Sequence, residues 1–218
     1  PRREPRVRAF VADVGNEPRQ RAVAVVDAED RPAGEEALAQ VADRALDLAR
    51  RSEAHGLYTA LSSNGTTIDA KTADEIADIG FDYVGISLDG IEATHDRFRR
   101  KQGAFAASLA AVRLCRDAGI KVGLRYTMTD MNAADLPDLM QLMHDEGVDK
   151  FYFSHLNYAG RGNIHRGRDA HFAATRAALD RLFEAAWRAA VEGRALEYVT
   201  GNNDADGVYL LDWARRRL

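Results

Sequence analysis

The sequence predicts an α/β fold in which parallel strands alternate with helices and build a partial (β/α) barrel. Three observations support this prediction: helical segments repeatedly meet a glycine before an apolar strand, no tight hairpin joins these strands, and each strand finishes in polar residues. Parallel strands need a long crossover connection, which a helix usually supplies. The length of 218 residues suits one ordinary domain or part of a larger one.

A glycine marks the point where each predicted helix gives way to the next strand. Glycine just past a helix adopts the left-handed backbone conformation at little cost, and the apolar residue beside it packs on the last turn. These junctions lie at Gly56, Gly80, Gly119 and Gly147. The strands that follow are predicted at Leu57–Ser62, Tyr83–Ser87, Lys121–Thr127 and Phe151–His155, with helices at about 70–79, 104–118, 133–146 and 168–192.

The carboxyl ends of the four strands carry polar residues, which begin at Ser62, Ser87, Thr127 and His155. Ligands of parallel α/β folds bind at this end of the strands. Because every strand contributes, the pattern favours a ring of contributors, as in a barrel, over the single switch point of a doubly wound sheet. Upstream, Val7–Val14 and the stretch from Ala22 to Asp27 are weaker strand candidates.

Residue alternation places polar and charged residues on one face of each of two neighbouring strands. Arg125 shares a face with Thr127, and on the preceding strand Ser87 shares a face with Asp89. An arginine in a barrel interior is costly unless an anion meets it. Arg125 is therefore a candidate ligand for a carboxylate or phosphate. A structural ion pair with Asp89 or another acid is the alternative, and the sequence leaves both open.

Composition excludes several classes of protein. Hydrophobic residues make up 46% and charged residues 29%, so a sizeable core is expected and wholesale disorder is not. A formal charge of −4, from 30 basic and 34 acidic residues, gives no indication of a nucleic-acid surface. No apolar run approaches the ~20 residues that span a bilayer, so no membrane partner is expected. A single cysteine and the lack of an apolar targeting segment predict a cytoplasmic location.

The histidines and the cysteine do not form a metal-binding motif. No pair of histidines has a short ligand spacing, so no metal ligand is predicted. His155 is kept as a candidate because it lies at the ligand end of a strand, and Cys115 is predicted to be a buried, inert thiol. Surface or capping roles are predicted for the isolated histidines His55, His95, His165 and His171.

Two loops near the C-terminal end are candidates for ligand binding. The stretch from Asn202 to Gly207 resembles the start of a calcium loop, but Trp213 occupies the position of the required glutamate, so an EF-hand is rejected. A capped turn before a helix and a ligand loop remain equally open there. The glycine-punctuated loop around Arg161 offers backbone N–H groups and a guanidinium to an anion, although it lacks the Lys-Ser/Thr of a P-loop.

Several segments resemble the radical SAM superfamily, in its SPASM and Twitch branch. Thr59–Thr66 is similar to the third-strand motif of these enzymes, Val84–Gly90 with Thr94–Arg99 to the fourth, and Gly119–Arg125 to the fifth. The more specific segments are Phe153–Asn163 and Tyr198–Tyr209, which resemble the radical SAM enzymes of heme d1 biosynthesis. The resemblance covers about residues 54–218.

This resemblance implies a partial TIM-type barrel that binds a [4Fe-4S] cluster and S-adenosylmethionine, and a siroheme-derived tetrapyrrole substrate that loses propionate side chains. By position in the family motifs, Ser87 and Arg125 would hold the polar parts of S-adenosylmethionine, with Asn64 and Asp89 near the same pocket. The resemblance also suggests residues that would contact the tetrapyrrole: His155, Asn157, Arg161, Asn202 and Asn203.

The sequence also departs from the family pattern. The Cys-x3-Cys-x2-Cys motif that holds the cluster is missing, and Gly34–Ala37 stands near the expected position of the Gly-Gly-Glu-Pro motif without matching it. We therefore expect an incomplete enzyme, inactive alone, with a poorly defined segment at 1–33 and a partial barrel with a C-terminal helical region at 34–218.

Two other functions remain open from the sequence. One is a cluster-free protein that binds or helps to assemble a tetrapyrrole. The other is a cluster-free barrel enzyme that acts on a phosphorylated small molecule through Arg125 and the Arg161 loop. An incomplete barrel also predicts self-association through an exposed sheet edge.

Overall fold

The computed structural model describes residues 8–12, 21–25, 46–159 and 161–217. For the first two ranges and for Arg161, the description is limited to the backbone. The predicted boundary at residue 34 and the segment Gly34–Ala37 lie outside the described residues.

Strands and helices alternate along the described chain. They are β1 (Arg8–Ala12), β2 (Arg21–Val25), α1 (residues 46–54), β3 (Tyr58–Ser63), α2 (Ala70–Ile79), β4 (Tyr83–Ser87), α3 (Ala93–Arg99), α4 (Ala104–Asp117), β5 (Val122–Thr127), α5 (Leu136–Asp145), β6 (Lys150–Ser154), α6 (Arg161–Ile164), α7 (Phe172–Val191), β7 (Glu197–Gly201) and α8 (Ala205–Arg217), with 3-10 turns at Ala133–Asp135 and Arg166–Arg168.

The predicted α/β class and its parallel sheet are confirmed. Within the described residues the sheet has seven strands, which stand in chain order from β1 to β7. The pairs β2/β3, β3/β4 and β6/β7 are parallel, whereas β1 runs antiparallel to β2. The two weak strand candidates near the start are therefore strands as well. No helix in the described part of the chain is long and apolar enough to cross a membrane.

The glycine junctions behave as predicted. Gly80 ends α2 in the left-handed conformation, and its N–H donates to the carbonyl of Ala77. At the other end of the same helix, the carboxylate of Asp69 accepts a hydrogen bond from the Thr72 N–H at 2.8 Å. The remaining junction glycines, Gly56, Gly119 and Gly147, also have positive φ angles.

The chain forms two compact units, each with its own core. The first comprises the described residues up to Ser87 together with Ala106–Gly123, and the second comprises Leu88–Phe105 and the residues from Leu124 onward. Buried side chains of the first unit include Ile76, Val84, Ile86, Val112 and Cys115, and those of the second include Leu124, Tyr126, Leu139, Met143, Phe151, Phe153 and Leu182.

In the first unit, Gly65 lets α4 approach the end of β3 closely. Its φ angle is +75°, and a Cβ atom there would lie 2.9 Å from the Cβ of Ala111 and 3.1 Å from a methyl of Ile86. Because α4 lies this close, the Ser108 hydroxyl donates a hydrogen bond to the carbonyl of Asn64 at 2.6 Å. Gly65 is therefore required both by the backbone conformation and by the packing.

We expect Gly65→Ala to lower the free energy of unfolding by about 2–6 kcal/mol, because left-handed strain and overpacking each cost about 1–3 kcal/mol. The matched control is Gly119→Ala, since Gly119 has a φ angle of +80° but nothing within 4 Å of the added Cβ. Urea unfolding should show the smaller loss for the control, and equal losses would contradict a role for the close approach.

Candidate functional site

The ends of β6 and β7 bring two predicted site residues together in the second unit. Ser154 pairs with Gly201 in the parallel register, and the N–H of His155 donates to the carbonyl of Gly201 at 3.2 Å. The carboxamide of Asn202 then donates to the Ser154 hydroxyl at 2.7 Å and to the carbonyl of His155 at 3.4 Å. His155 and Asn202 are thus neighbours at the carboxyl end of the sheet, as expected for a ligand face.

His155 is held by an acid that the sequence analysis did not single out. Its Nε2 lies 2.9 and 2.8 Å from the two carboxylate oxygens of Asp206. The side chain of His155 is 14% exposed and that of Asp206 is 3% exposed. The imidazole also packs edge-to-face against Phe153, with ring centroids 5.1 Å apart. The ring is therefore fixed in both position and orientation.

The loop between β7 and α8 places Asp206. Asn202 adopts a left-handed backbone conformation with φ 67°. The side-chain oxygen of Asn203 accepts the Ala205 N–H at 3.1 Å, and its carbonyl accepts the Asp206 N–H at 3.2 Å. The loop therefore forms the predicted capped turn before a helix, and ligand binding by the same loop stays a prediction. Asp206 lies in the first turn of that helix and points into the buried side.

Arg125 on β5 lies against an aromatic ring. Its guanidinium is 4.4 Å from the ring centroid of Tyr152 on β6, and its side chain is half-buried. It forms no hydrogen bond or salt bridge with the part of the chain that the structure describes. The absence of a side chain at Gly201 makes room for Tyr152, since a Cβ there would lie 2.7 Å from the Cζ of the ring. Arg125 is thus supported by stacking and retains its donors.

The structural pair between Arg125 and Asp89, one of the two predicted alternatives, is not formed. Asp89 is 1% exposed, and its carboxylate accepts the Thr127 N–H at 2.8 Å and a hydrogen bond from the Arg99 guanidinium. Burial raises the pKa of Asp89 to about 7, against the opposing effects of the Thr127 N–H and the charge of Arg125. The contacts of this carboxylate are therefore internal ones that join the ends of β4 and β5.

Asn132 completes this buried network. Its side-chain oxygen accepts the Thr129 N–H at 2.7 Å, and its amide donates to the carbonyls of Asp89 and Thr127 at 2.9 Å each. The side chain is fully buried, so each of these bonds replaces one to water. This role could not be predicted from the sequence, because an asparagine in a polar loop is ordinary.

Of the predicted surface or capping roles, the surface role is wrong for His95, because this residue is fully buried. Its Nδ1 accepts the backbone N–H of Asp89 at 2.9 Å, which places the proton of the neutral ring on Nε2. Burial lowers the pKa of His95 to about 4. The other isolated histidines, His55, His165 and His171, are exposed as predicted.

In the first unit, Asn64 directly follows β3 and Ser87 is the last residue of β4. The two strands are paired in parallel as far as Ser63 and Ile86. Both side chains are half-buried, and the side-chain oxygen of Asn64 accepts the Thr66 N–H at 3.1 Å.

The remaining predicted contacts follow β6 and β7. Asn157 and Asn203 are exposed, whereas the side chain of Arg161 lies outside the described residues. Arg161 begins the short helix α6.

The family profile of the Radical SAM superfamily matches residues 14–143, which is more than half of the chain. This chain belongs to the radical SAM superfamily.

Among the radical SAM relatives is the pre-heme d1 synthase of Dinoroseobacter shibae, which is 57% identical over 175 residues, or 79% of this chain and 43% of the relative. The Fe-coproporphyrin III synthase of Methanosarcina barkeri is 38% identical over 164 residues, or 75% of this chain and 41% of the relative. The chain therefore spans less than half the length of these curated relatives.

Solved structures show the radical SAM fold independently. Streptococcus suis SuiB bound to the precursor peptide SuiA aligns with a TM-score of 0.59 at 12% identity, over 79% of this chain and 37% of that one. Native anSMEcpe with bound AdoMet and Kp18Cys peptide aligns with a TM-score of 0.58 at 18% identity, over 73% of this chain and 46% of that one. At these identities the likeness concerns the fold alone, and it supports the predicted partial barrel.

The residues of this radical SAM chain do not fit a [4Fe-4S] cluster. Such clusters are held by cysteine thiolates, and Cys115 is the single cysteine of the sequence. Cys115 is fully buried, as predicted, and burial raises the pKa of its thiol to about 11. Within the described ranges, no group of three or more His, Cys, Asp or Glu side chains could hold a metal ion.

We expect the destabilisation caused by His95→Asn to shrink on acidification. The pKa of His95 is about 4 in the folded chain and about 6.5 in the unfolded one, so the unfolded state takes up the proton first. The neutral imidazole therefore contributes about 3 kcal/mol at pH 7 that is lost as the pH falls to 4. Urea unfolding of both proteins across this range measures the difference. A pH dependence as large for His55→Asn, at an exposed histidine, would contradict the role of burial.

Proposed function

We propose that this chain is part of a radical SAM enzyme of heme d1 biosynthesis and contributes the face that meets a siroheme-derived tetrapyrrole, from which propionate side chains are removed. The observation that carries the proposal is the 57% identity to a pre-heme d1 synthase over 79% of this chain. A second relative is an Fe-coproporphyrin III synthase, so both names point to an iron tetrapyrrole. The proposal includes a cytoplasmic site of reaction, where thiols stay reduced.

The proposed tetrapyrrole contacts are His155, Asn157, Arg161, Asn202 and Asn203. Tetrapyrroles of this class carry several carboxylates, and arginine binds a carboxylate through two parallel hydrogen bonds. Two findings support the assignment: His155 and Asn202 are hydrogen-bonded neighbours, and Asn157 and Asn203 are exposed beside them in sequence.

S-adenosylmethionine is the proposed cofactor, and in an enzyme that holds a cluster it would supply the radical chemistry. Arg125 fits its carboxylate, because the guanidinium is half-buried and has no anionic partner among the described residues. Ser87 and Asn64 belong to the first unit, and their contacts with S-adenosylmethionine stay predictions. Asp89 would act by holding the strand ends, since both of its carboxylate oxygens already accept hydrogen bonds from the chain.

A second function, a cluster-free tetrapyrrole-binding or assembly protein, is favoured by one observation. The sequence has a single cysteine, which is buried and does not fit a cluster. We therefore propose no radical step for this chain by itself. Self-association through an exposed edge stays a prediction, which light scattering would test.

We expect Arg125→Gln to weaken S-adenosylmethionine binding by tenfold or more. A hydrogen bond to a charged group contributes about 1.5–3 kcal/mol, and about 1.4 kcal/mol corresponds to tenfold in affinity. Isothermal titration calorimetry measures the change. The matched control is Arg181→Gln, at an exposed arginine of α7. An equal loss in both variants would argue against Arg125 as the carboxylate ligand.

We expect the chain to bind siroheme and iron coproporphyrin III saturably, which a titration followed by the Soret absorbance measures. The absence of binding would end both tetrapyrrole proposals. To separate them, a peptide that carries the Cys-x3-Cys-x2-Cys motif would be supplied together with iron and sulfide. Reductive cleavage of S-adenosylmethionine that depends on this chain would favour the enzyme, and porphyrin binding without cleavage would favour the binding protein.

A further inference from the structure

The pair formed by His155 and Asp206 joins two elements that are distant in sequence. His155 follows β6, Asp206 lies in the first turn of α8, and 51 residues separate them. Both carboxylate oxygens of Asp206 lie within 2.9 Å of the same nitrogen, Nε2 of His155. The rest of the hydrogen bonding around the pair, through Gly201, Asn202 and Asn203, involves the backbone or side-chain amides. The imidazole and the carboxylate are thus each other's ionisable partners.

Burial gives the charge of Asp206 a large effect on the free energy of this pair. The side chain of Asp206 is 3% exposed, and a buried carboxylate is costly unless a positive charge meets it. Among the described residues, its side-chain partner is the imidazole of His155. The charge is balanced when that ring is an imidazolium, which carries protons on both nitrogens. Asp206 accepts the proton on Nε2, so the proton on Nδ1 is left for another acceptor.

The Nδ1 atom of His155 is available for a ligand. It forms no hydrogen bond with the residues that the structure describes, and it is not among the buried polar atoms that lack a partner. The side chain keeps 14% of its surface exposed. Because Asp206 and Phe153 fix the ring, this N–H points in one direction. A charged donor with a fixed direction suits an anionic oxygen.

His95 provides an internal contrast. It lies in the same unit, but its ring is fully buried, its Nδ1 accepts the Asp89 N–H, and its Nε2 has no hydrogen-bond partner among the described residues. Burial lowers the pKa of His95 to about 4, against the opposing effect of the Asp96 charge, so this ring is neutral. The same residue type therefore serves as a neutral structural acceptor in one place and, with Asp206, as a donor at the strand ends.

We propose that Asp206 is a positioning residue that holds His155 as a fixed, charged donor, and that the Nδ1–H of His155 binds one side-chain carboxylate of the substrate. This proposal rests on the proposed tetrapyrrole function and deepens it, because it names the group that is recognised and the atom that recognises it.

The test compares two ligands in the 218-residue chain: iron coproporphyrin III and its derivative with primary amides in place of the carboxylic acids. We expect the wild-type chain to prefer the acid, and His155→Gln and Asp206→Asn to weaken binding of the acid about tenfold while leaving the amide unchanged. A merely structural role would weaken both ligands alike. The matched control is Asp204→Asn, which removes an exposed acid from the same loop and should leave both affinities unchanged.

A second measurement needs no variant. Nitrogen-15 spectra of the labelled wild-type chain should show two protonated ring nitrogens for His155 and one for His95, and the acid should shift the Nδ1 signal of His155 more than the amide does. A neutral His155 ring, or an acid preference that His155→Gln leaves intact, would overturn the proposal while the tetrapyrrole function stands. Failure of the wild-type chain to bind either porphyrin would overturn both.

Discussion

A single buried carboxylate, that of Asp89, ties together the carboxyl ends of two neighbouring strands. Through Thr127 and Arg99 it joins the end of β5 and the helix α3, while the N–H of the same residue is accepted by His95. Asn132 closes the arrangement by donating to the carbonyls on both sides. A parallel sheet leaves its strand ends without hairpins to hold them, so polar side chains must supply this function. The residues that follow these strand ends are positioned by the hydrogen bonds of Asp89 and Asn132.

The local features of the fold were accessible from the sequence, because they obey short-range rules. The glycine junctions required a left-handed backbone at Gly80 and its counterparts, and the period of two placed Arg125 and Thr127 on one half-buried face of β5. The features that escaped prediction are long-range contacts. His95 has no sequence signal that distinguishes a buried acceptor from a surface residue, because its burial is decided by the packing of α3.

In the candidate site, too, local features could be predicted and long-range contacts could not. His155 could be found from its place at a strand end, but Asp206 could be found only once the turn before α8 was known to bring it back to β6. Tyr152 was missed because its role depends on the missing side chain of Gly201 on the next strand. The ends of strands can be predicted from the sequence. The partners of the side chains at those ends depend on the register between strands, which the sequence does not show.

Gly201 also has a mechanical consequence. The backbone of β7 at this glycine, the ring of Tyr152 and the guanidinium of Arg125 stand in one row across three strands. A molecule that moved the end of β7 would therefore shift the aromatic support of Arg125 and alter the affinity of that guanidinium for an anion. By thermodynamic reciprocity, an anion on Arg125 would change the affinity at the end of β7 by the same factor. Two ligands that do not contact each other would then raise or lower each other's affinity through the sheet.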